Sequence, residues 1–424
     1  MNKRMTISFL IILLSYINGP FFFVGITAIH RLFYYAISVL PMFLALYRGI
    51  KKNELTSNFY YLLFFYTICV ILVSLITFSL DLQYFIAYVR MLLNIFGTVS
   101  VFFLYEKAMR RNKINMSYQL LVVKSTIFYV LGTILFICIP PLKTFWSSII
   151  LNFKEVDFTD FVEYITRYGF AGFSGFTFAF LVSATSVSFC YLYLNGEIDK
   201  KKSGRYLILL LLGSFFYGRI GFVATLIVFA LLTLYECRHK NFRLFNFFII
   251  ILFLVIVSGI ILYFSIPDIQ PFIDWLLEPL FNYIDTGKME SASTNGLKSF
   301  YENFHPDDKT LLMGDGYWIG TDGKYYGHTD VGFMRNIYYG GVFYTGIQYL
   351  LVIAIIFFIG ICIKKQNKKG CFLIPFMMFI VFLLFEIKGD IALWFVKQYL
   401  PILLAFTYDL RKEKENDFYN STSL

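Results

Sequence analysis

The feature that most constrains this chain is a series of apolar runs, each long enough to cross a bilayer, separated by connections that alternate in charge. A spanning helix needs roughly 20 predominantly apolar residues. Such runs lie near 7–29, 32–48, 59–80, 84–105, 118–140, 170–194, 206–217, 219–236, 245–265, 333–362, 371–388 and 391–408. They predict an all-α polytopic membrane protein of about twelve transmembrane helices, since in hydrocarbon only helices and closed barrels satisfy their own backbone. Hydrophobic residues make up 58% of the 424 and charged ones only 15%. Soluble domains carry about a quarter charged residues, so most of this surface must face lipid.

Charge placement orients the runs. Lys3 and Arg4 precede the first, and every second connection is basic: Arg48, Lys51 and Lys52; Lys107, Arg110, Arg111 and Lys113; Lys200, Lys201, Lys202 and Arg205. The series continues with Arg238, Lys240 and Arg243, then Lys364, Lys365, Lys368 and Lys369, then Arg411, Lys412 and Lys414. By the positive-inside rule both ends are cytoplasmic, with the first helix uncleaved. The alternation holds only if 206–236 crosses twice, with a turn at Gly218-Arg219-Ile220-Gly221. The net charge of +10 therefore reads as topology signal and contact with membrane lipid rather than a nucleic-acid surface. The six cysteines are scattered, which argues against a disulfide framework.

This map divides the chain into a membrane domain over 1–265, with an outer loop at 141–169, a large outward loop over 266–332, and a final part over 333–424 whose cytoplasmic tail begins near 409. The outer loop carries Lys154, Glu155, Asp157, Asp160 and Glu163. In the large loop, Ile269, Phe272, Ile273, Leu276, Leu277, Leu280 and Ile284 follow helical spacing, with Asp274 and Glu278 on the other side. They predict an amphipathic helix near 269–284 packed on the membrane domain. Long loops in compact proteins usually carry function.

Ionisable groups at membrane depth are costly and are candidates for function by default. Arg31, Arg90, Arg167, Arg219, Arg335, Lys388 and Lys397 fall on the outward half of the helices or at their outer ends, where long cations also snorkel to headgroups. Arg219 stands out because its glycine neighbours let a ligand approach closely. Arginine suits phosphate, since its fork stays charged and donates in pairs. Glu386 and Asp390, near another outer end, are structural partners available to a cation such as Arg90. A second constellation is Met313-Gly314-Asp315-Gly316-Tyr317-Trp318-Ile319-Gly320, then Gly327-His328-Thr329-Asp330-Val331-Gly332-Phe333. Asp330 is placed to cap the span that starts near Val331. His328 could take a hydroxyl proton near neutral pH; His305 reads as surface.

The span count, the long outward loop before the third-last span, Gly314-Asp315-Gly316, His328-Thr329-Asp330-Val331-Gly332-Phe333 and Gly340-Gly341-Val342 together resemble the Wzy-type O-antigen polymerases. With the O-antigen ligases, these belong to a broader GT-C-like superfamily. The likeness covers nearly the whole chain in layout. It implies a metal-independent glycosyltransferase, without cofactor, in the bacterial inner membrane. Its donor and acceptor would be undecaprenyl-pyrophosphate-linked oligosaccharides, joined at the periplasmic face. By the same analogy Arg219 and Arg167 would hold the donor pyrophosphate, aided by Arg90 and Arg335. His328 or Asp330 would orient or deprotonate the acceptor hydroxyl, and Gly314 and Gly316 would shape the glycan site. A chain-length regulator and a flippase are the implied protein partners. An O-antigen ligase, or a flippase for lipid-linked oligosaccharide, would share much of this pattern.

Overall fold

The computed structural model describes residues 3–52, 54–79, 81–112, 114, 116–151, 167–173, 175–265 and 270–422. The acids and lysine of the outer loop, Lys154 through Glu163, lie outside these, as does Ile269. The described chain is built of helices: α1 (Lys3–Asn18), α2 (Thr27–Lys52), α3 (Glu54–Ile76), α4 (Leu82–Asn112), α5 (Tyr118–Cys138) and α6 (Pro140–Ile149). A two-stranded hairpin follows, β1 (Tyr168–Gly169) and β2 (Gly172–Phe173), with Tyr168 opposite Phe173. Then come α7 (Phe176–Leu194), α8 (Lys200–Tyr217), α9 (Arg219–Arg238), α10 (Arg243–Ser265), α11 (Gln270–Thr286), α12 (Ala292–Glu302), α13 (Asp308–Met313), α14 (Gly332–Lys365), α15 (Leu373–Glu386) and α16 (Ala392–Thr422). Among the described residues, five helices are long and apolar enough to cross a membrane: α4, α5, α7, α9 and α14. The chain is thus an all-helical protein of membrane-embedded character.

Its contacts divide it into two compact units. The first comprises Met1–Asn18, Ala28–Val122 and Asn303–Leu424. In it α14 packs against α3, α15 and α16, while α4 packs against α1 and α16. Tyr66, Val70, Ile355, Phe395 and Leu403 are buried in this core. Lys397 does not snorkel here. It is fully buried, and its ammonium donates to Ile17 O at 3.1 Å and Asn18 O at 3.4 Å. Those carbonyls end α1, where a helix leaves acceptors unpaired and its dipole favours a cation. The sequence places the first span at 7–29, but α1 stops at Asn18, just before Gly19-Pro20. A residue preceding proline is pushed out of the helical region.

The second unit comprises Gly19–Thr27 and Val123–Glu302. Its centre is α7, buried along nearly its whole length and packed on α8 and α9. Small residues allow the approach: Gly221 lies against Ala179, and Ser183 Oγ donates to Gly221 O at 3.1 Å. The turn expected at Gly218 is present. Gly218 has φ 148°, and it separates α8 from α9 where a single long helix would otherwise run. The segment around Phe23 joins this unit by bridging Ile150, with Leu151 N–H donating to Phe22 O at 2.7 Å.

Candidate functional site

In the first unit the glycine motifs meet. Helix α14 is broken at Gly341, whose φ of 73° and ψ of −175° are not helical. A helix carbonyl normally accepts from the N–H four residues on, so the break frees Tyr338 O and Tyr339 O. The Gly314-Asp315-Gly316 loop takes both, with Asp315 N–H donating to Tyr338 O at 2.7 Å and Gly316 N–H to Tyr339 O at 2.9 Å. Gly314 has φ 74°, and a Cβ there would overlap Tyr339 O; a Cβ on Gly341 would overlap Leu312 O. Glycine on each side of the joint is what lets two backbones touch. Asp315 then anchors the loop, since its carboxylate accepts from Thr310 Oγ1 at 2.9 Å and from the Tyr326 hydroxyl at 3.1 Å.

Arg335 stands in the first turn of α14. Its guanidinium carbon lies 4.0 Å from the centre of the Trp318 ring and 3.6 Å from that of Tyr325. Trp318 is itself fixed: its backbone N–H donates to Asp81 Oδ2 at 2.7 Å, and its ring lies 4.7 Å from that of Tyr84. Asp81 also starts α4, its Oδ1 accepting from Gln83 N–H at 2.9 Å and Tyr84 N–H at 3.2 Å. Behind Trp318 lies a pile of tyrosines, with Tyr84 and Tyr339 rings 3.8 Å apart and the Tyr66 and Tyr344 hydroxyls 2.5 Å apart. A guanidinium lying over an indole and a phenol keeps its charge in one place.

The other candidates of this unit sit differently. His328 is exposed, and its Nδ1 lies 3.7 Å from the Asp322 carboxylate. Asp330 is exposed too and does not cap α14. The cap position is Val331, one residue later than expected, and it is Thr329 whose Oγ1 accepts from Val331 N–H at 3.2 Å. Arg90 is exposed on α4. Glu386 and Asp390, expected as partners for a cation such as Arg90, instead exert their electrostatic pull on Arg335.

In the second unit Arg219 opens α9 and is engaged. Its Nη1 donates to Glu278 Oε2 at 2.8 Å and to Trp275 O at 3.1 Å, and its guanidinium carbon lies 4.8 Å from the Trp275 ring centre. The helix expected near 269–284 is thus present as α11. Glu278, assigned to its polar side, ties it to α9, while Leu280 and Ile284 stay exposed. Burial pushes the Glu278 carboxyl up, but the Ala292 N–H (2.7 Å) and Arg219 outweigh it and hold the group below its usual range. A carboxylate with a depressed folded pKa contributes stability above its unfolded value of about 4.3 and loses it as pH falls through the folded value. Arg219→Ala is therefore expected to lower the melting temperature at pH 7 by an amount that shrinks in acid to what its contacts with Trp275 contribute. An equal loss at every pH would refute the coupling.

Arg167 has φ 64°, and its N–H donates to Phe216 O at 2.8 Å. Gly175 packs on its side chain, so that a Cβ there would stand 3.2 Å from Arg167 Cδ. Nearby, the buried Lys143 holds its ammonium 4.7 Å from the Tyr168 ring centre, and burial pushes it down to about 8. Lys143 was not singled out from sequence. An isolated lysine beside an apolar run carries no mark that Tyr168 will lie against it.

What fold and site define is a class, an all-helical protein of membrane-embedded character in which Arg335 and Arg219 each lie over an aromatic ring. No protein-family model matches the chain, and neither a curated protein nor a solved structure matches it.

Proposed function

We propose that this protein is a Wzy-type O-antigen polymerase, a GT-C-like enzyme of about twelve spans in the bacterial inner membrane with both ends cytoplasmic. It extends a surface polysaccharide at the periplasmic face. The observation that carries the reading is the joint between Gly314-Asp315-Gly316 and Gly341. Two motif pieces that prompted the resemblance, far apart in sequence, lock together backbone to backbone beside a clamped arginine.

The chemistry asks for little more than positioning and fixed positive charge. The acceptor hydroxyl oxygen forms a bond to the anomeric carbon of the growing glycan. The bond from that carbon to pyrophosphate oxygen breaks, and undecaprenyl pyrophosphate leaves as an anion. The hydroxyl proton passes to His328 or Asp330. Arg335 is the arginine best held for the leaving group. Arg167, Arg90 and Arg219 are the further candidates in this reading, and a chain-length regulator and flippase its expected partners.

Deleting the gene in a strain that makes a repeat-unit glycan is expected to leave single repeat units on the lipopolysaccharide core. Loss of all antigen would point instead to a ligase or flippase, and an unchanged ladder would overturn the proposal. Arg219 needs a separate control because of its ion pair with Glu278. If it serves the donor, Arg219→Ala abolishes extension while Glu278→Gln, which removes the same pair, preserves it. Equal losses would make Arg219 structural.

A further inference from the structure

Helix α14 is longer than a bilayer requires. Its 34 residues make about 51 Å of helix, against about 30 Å of hydrocarbon. Residues 342–363 carry no charge and by themselves make about 33 Å, with Lys364 and Lys365 closing one end. Along this stretch Phe343, Leu350, Ile353 and Phe357 are exposed. Spaced at helical intervals, they share one face, and an exposed stripe this apolar on a helix long enough to cross belongs against lipid. The part of α14 suited to hydrocarbon therefore begins just after Gly341. The break falls at the membrane edge remote from the two lysines.

Helix α13 meets α14 at that level, since a Cβ on Gly341 would overlap Leu312 O. Its last three residues, Leu311, Leu312 and Met313, are all exposed. Its polar groups are turned back on the same segment. Asp307 accepts from Thr310 N–H at 2.7 Å, and the buried Thr310 donates its hydroxyl to Asp315 at 2.9 Å. The backbone is closed in the same way. Leu311 N–H donates to Asp307 O at 2.8 Å and Gly314 N–H to Thr310 O at 2.9 Å, while the next two N–H groups take the carbonyls that the break at Gly341 frees. Donors paired within the protein and apolar side chains outside it suit a segment in contact with hydrocarbon, where an unpaired backbone group is costly. The charged residues Asp307, Asp308 and Lys309 all precede the apolar ones, as at a water-facing end. A third piece ends beside this loop. Thr77 and Ser79, just after α3, lie against Gly316, and Phe78 between them is 88% exposed, so that the protein covers almost none of it.

We infer that Leu311, Leu312 and Met313, with Phe78 and Phe343, form a lipid-binding surface seated in the bilayer interface remote from Lys364 and Lys365, covered by phospholipid acyl chains near the glycerol level. By sequence, α13 belongs to a large loop outside the membrane; seated in this way, it lies in the membrane edge instead. A second copy of the chain is the poorer occupant. A stable protein interface takes about 800 Å² from each partner and some 20–30 residues, whereas this patch has five apolar side chains and adjoins the exposed stripe of α14 at Phe343. The seating also sets the depth of Arg335. That residue stands six positions beyond Gly341, about 9 Å along the helix and so level with the headgroups. This inference does not rest on the polymerase reading.

Lipid photolabelling of the wild-type full chain tests it, with no variant that must fold. The purified protein is placed in phosphatidylcholine vesicles containing a small share of the same lipid with a diazirine on one acyl chain, either near the glycerol or at the terminal methyl. After illumination, adducts are mapped by mass spectrometry. Residues 311–313 are expected to take more label from the glycerol-level probe, residues 350–357 more from the terminal-methyl probe, and residues 322–324 almost none from either. Bare 311–313 beside labelled 350–357 overturns the inference, whether water or a second copy covers the patch. Equal or greater labelling of 311–313 from the terminal-methyl probe overturns its placement at the interface. As much label on 322–324 would deny the patch any preference for lipid and overturn it too. Bare 350–357 would remove the span that sets the depth, and the inference with it.

Discussion

Gly341→Ala is expected to lower the melting temperature of the purified protein sharply, whereas Gly346→Ala in the same helix leaves it unchanged or raises it slightly. At Gly341 the φ of 73° belongs to the left-handed region, which costs a residue with a Cβ about 1–2 kcal/mol. The added methyl would also overlap Leu312 O. Relieving that overlap moves the loop off α14 and loosens the bonds from Asp315 and Gly316 to Tyr338 O and Tyr339 O. Each such bond is worth about 0.5–1.5 kcal/mol. Together the terms come to about 2–5 kcal/mol, a large fraction of a typical domain's stability. Nothing lies within 4 Å of a Cβ at Gly346, and alanine there gains up to about 1 kcal/mol of helix propensity. Thermal melting by intrinsic fluorescence compares the two. Equal melting temperatures would remove the joint from any account of this unit.

The break at Gly218 was legible because an arginine between two glycines interrupts an otherwise apolar stretch, and the charge alternation demanded a turn there. The break at Gly341 was not, although Gly340-Gly341 could be read as a motif. The apolar run continues on both sides, and the carbonyls that a kink frees find partners only when a loop about 25 residues upstream arrives. Helix ends were less readable again. The α16 helix runs from Ala392 to Thr422, past the point near 409 where a tail was expected, because helical backbone can continue after the apolar pattern ends. The same uncertainty misplaced the start of α14 by one residue and gave Asp330 a capping role that position does not have. Arg335 could be named from residue type and position alone. Trp318 and Tyr325 stand at the two sides of one turn and Asp81 comes from a distant segment, and no local periodicity records that they will meet Arg335.

The largest functional effect is expected at that arginine. Arg335→Met keeps the length of the side chain and removes its charge; Arg335→Lys keeps the charge and loses the flat surface that lies between Trp318 and Tyr325. If Arg335 stabilises a pyrophosphate leaving group, Arg335→Met loses about 10²–10³-fold in the rate of chain extension, the usual effect of deleting one group that meets developing charge. Arg335→Lys then retains at least about tenfold more activity than Arg335→Met, because a misplaced charge still attracts an anion. A side chain that only fills the space between the rings predicts the reverse order. Methionine packs well between rings, whereas a lysine ammonium is strongly hydrated and holds such a place poorly. Trp318→Phe separates the contributions further, since it preserves a ring face for the guanidinium and should reduce the rate modestly without changing the order of the two arginine variants. The measurement is the initial rate of polymer formation by reconstituted protein, with melting temperatures taken on the same preparations. Arg335→Met also removes the positive charge that faces Glu386 and Asp390, so rates are compared only between preparations whose melting temperatures stay near that of the wild type. Wild-type rates from Arg335→Met would sink the assignment of the leaving-group charge to this residue.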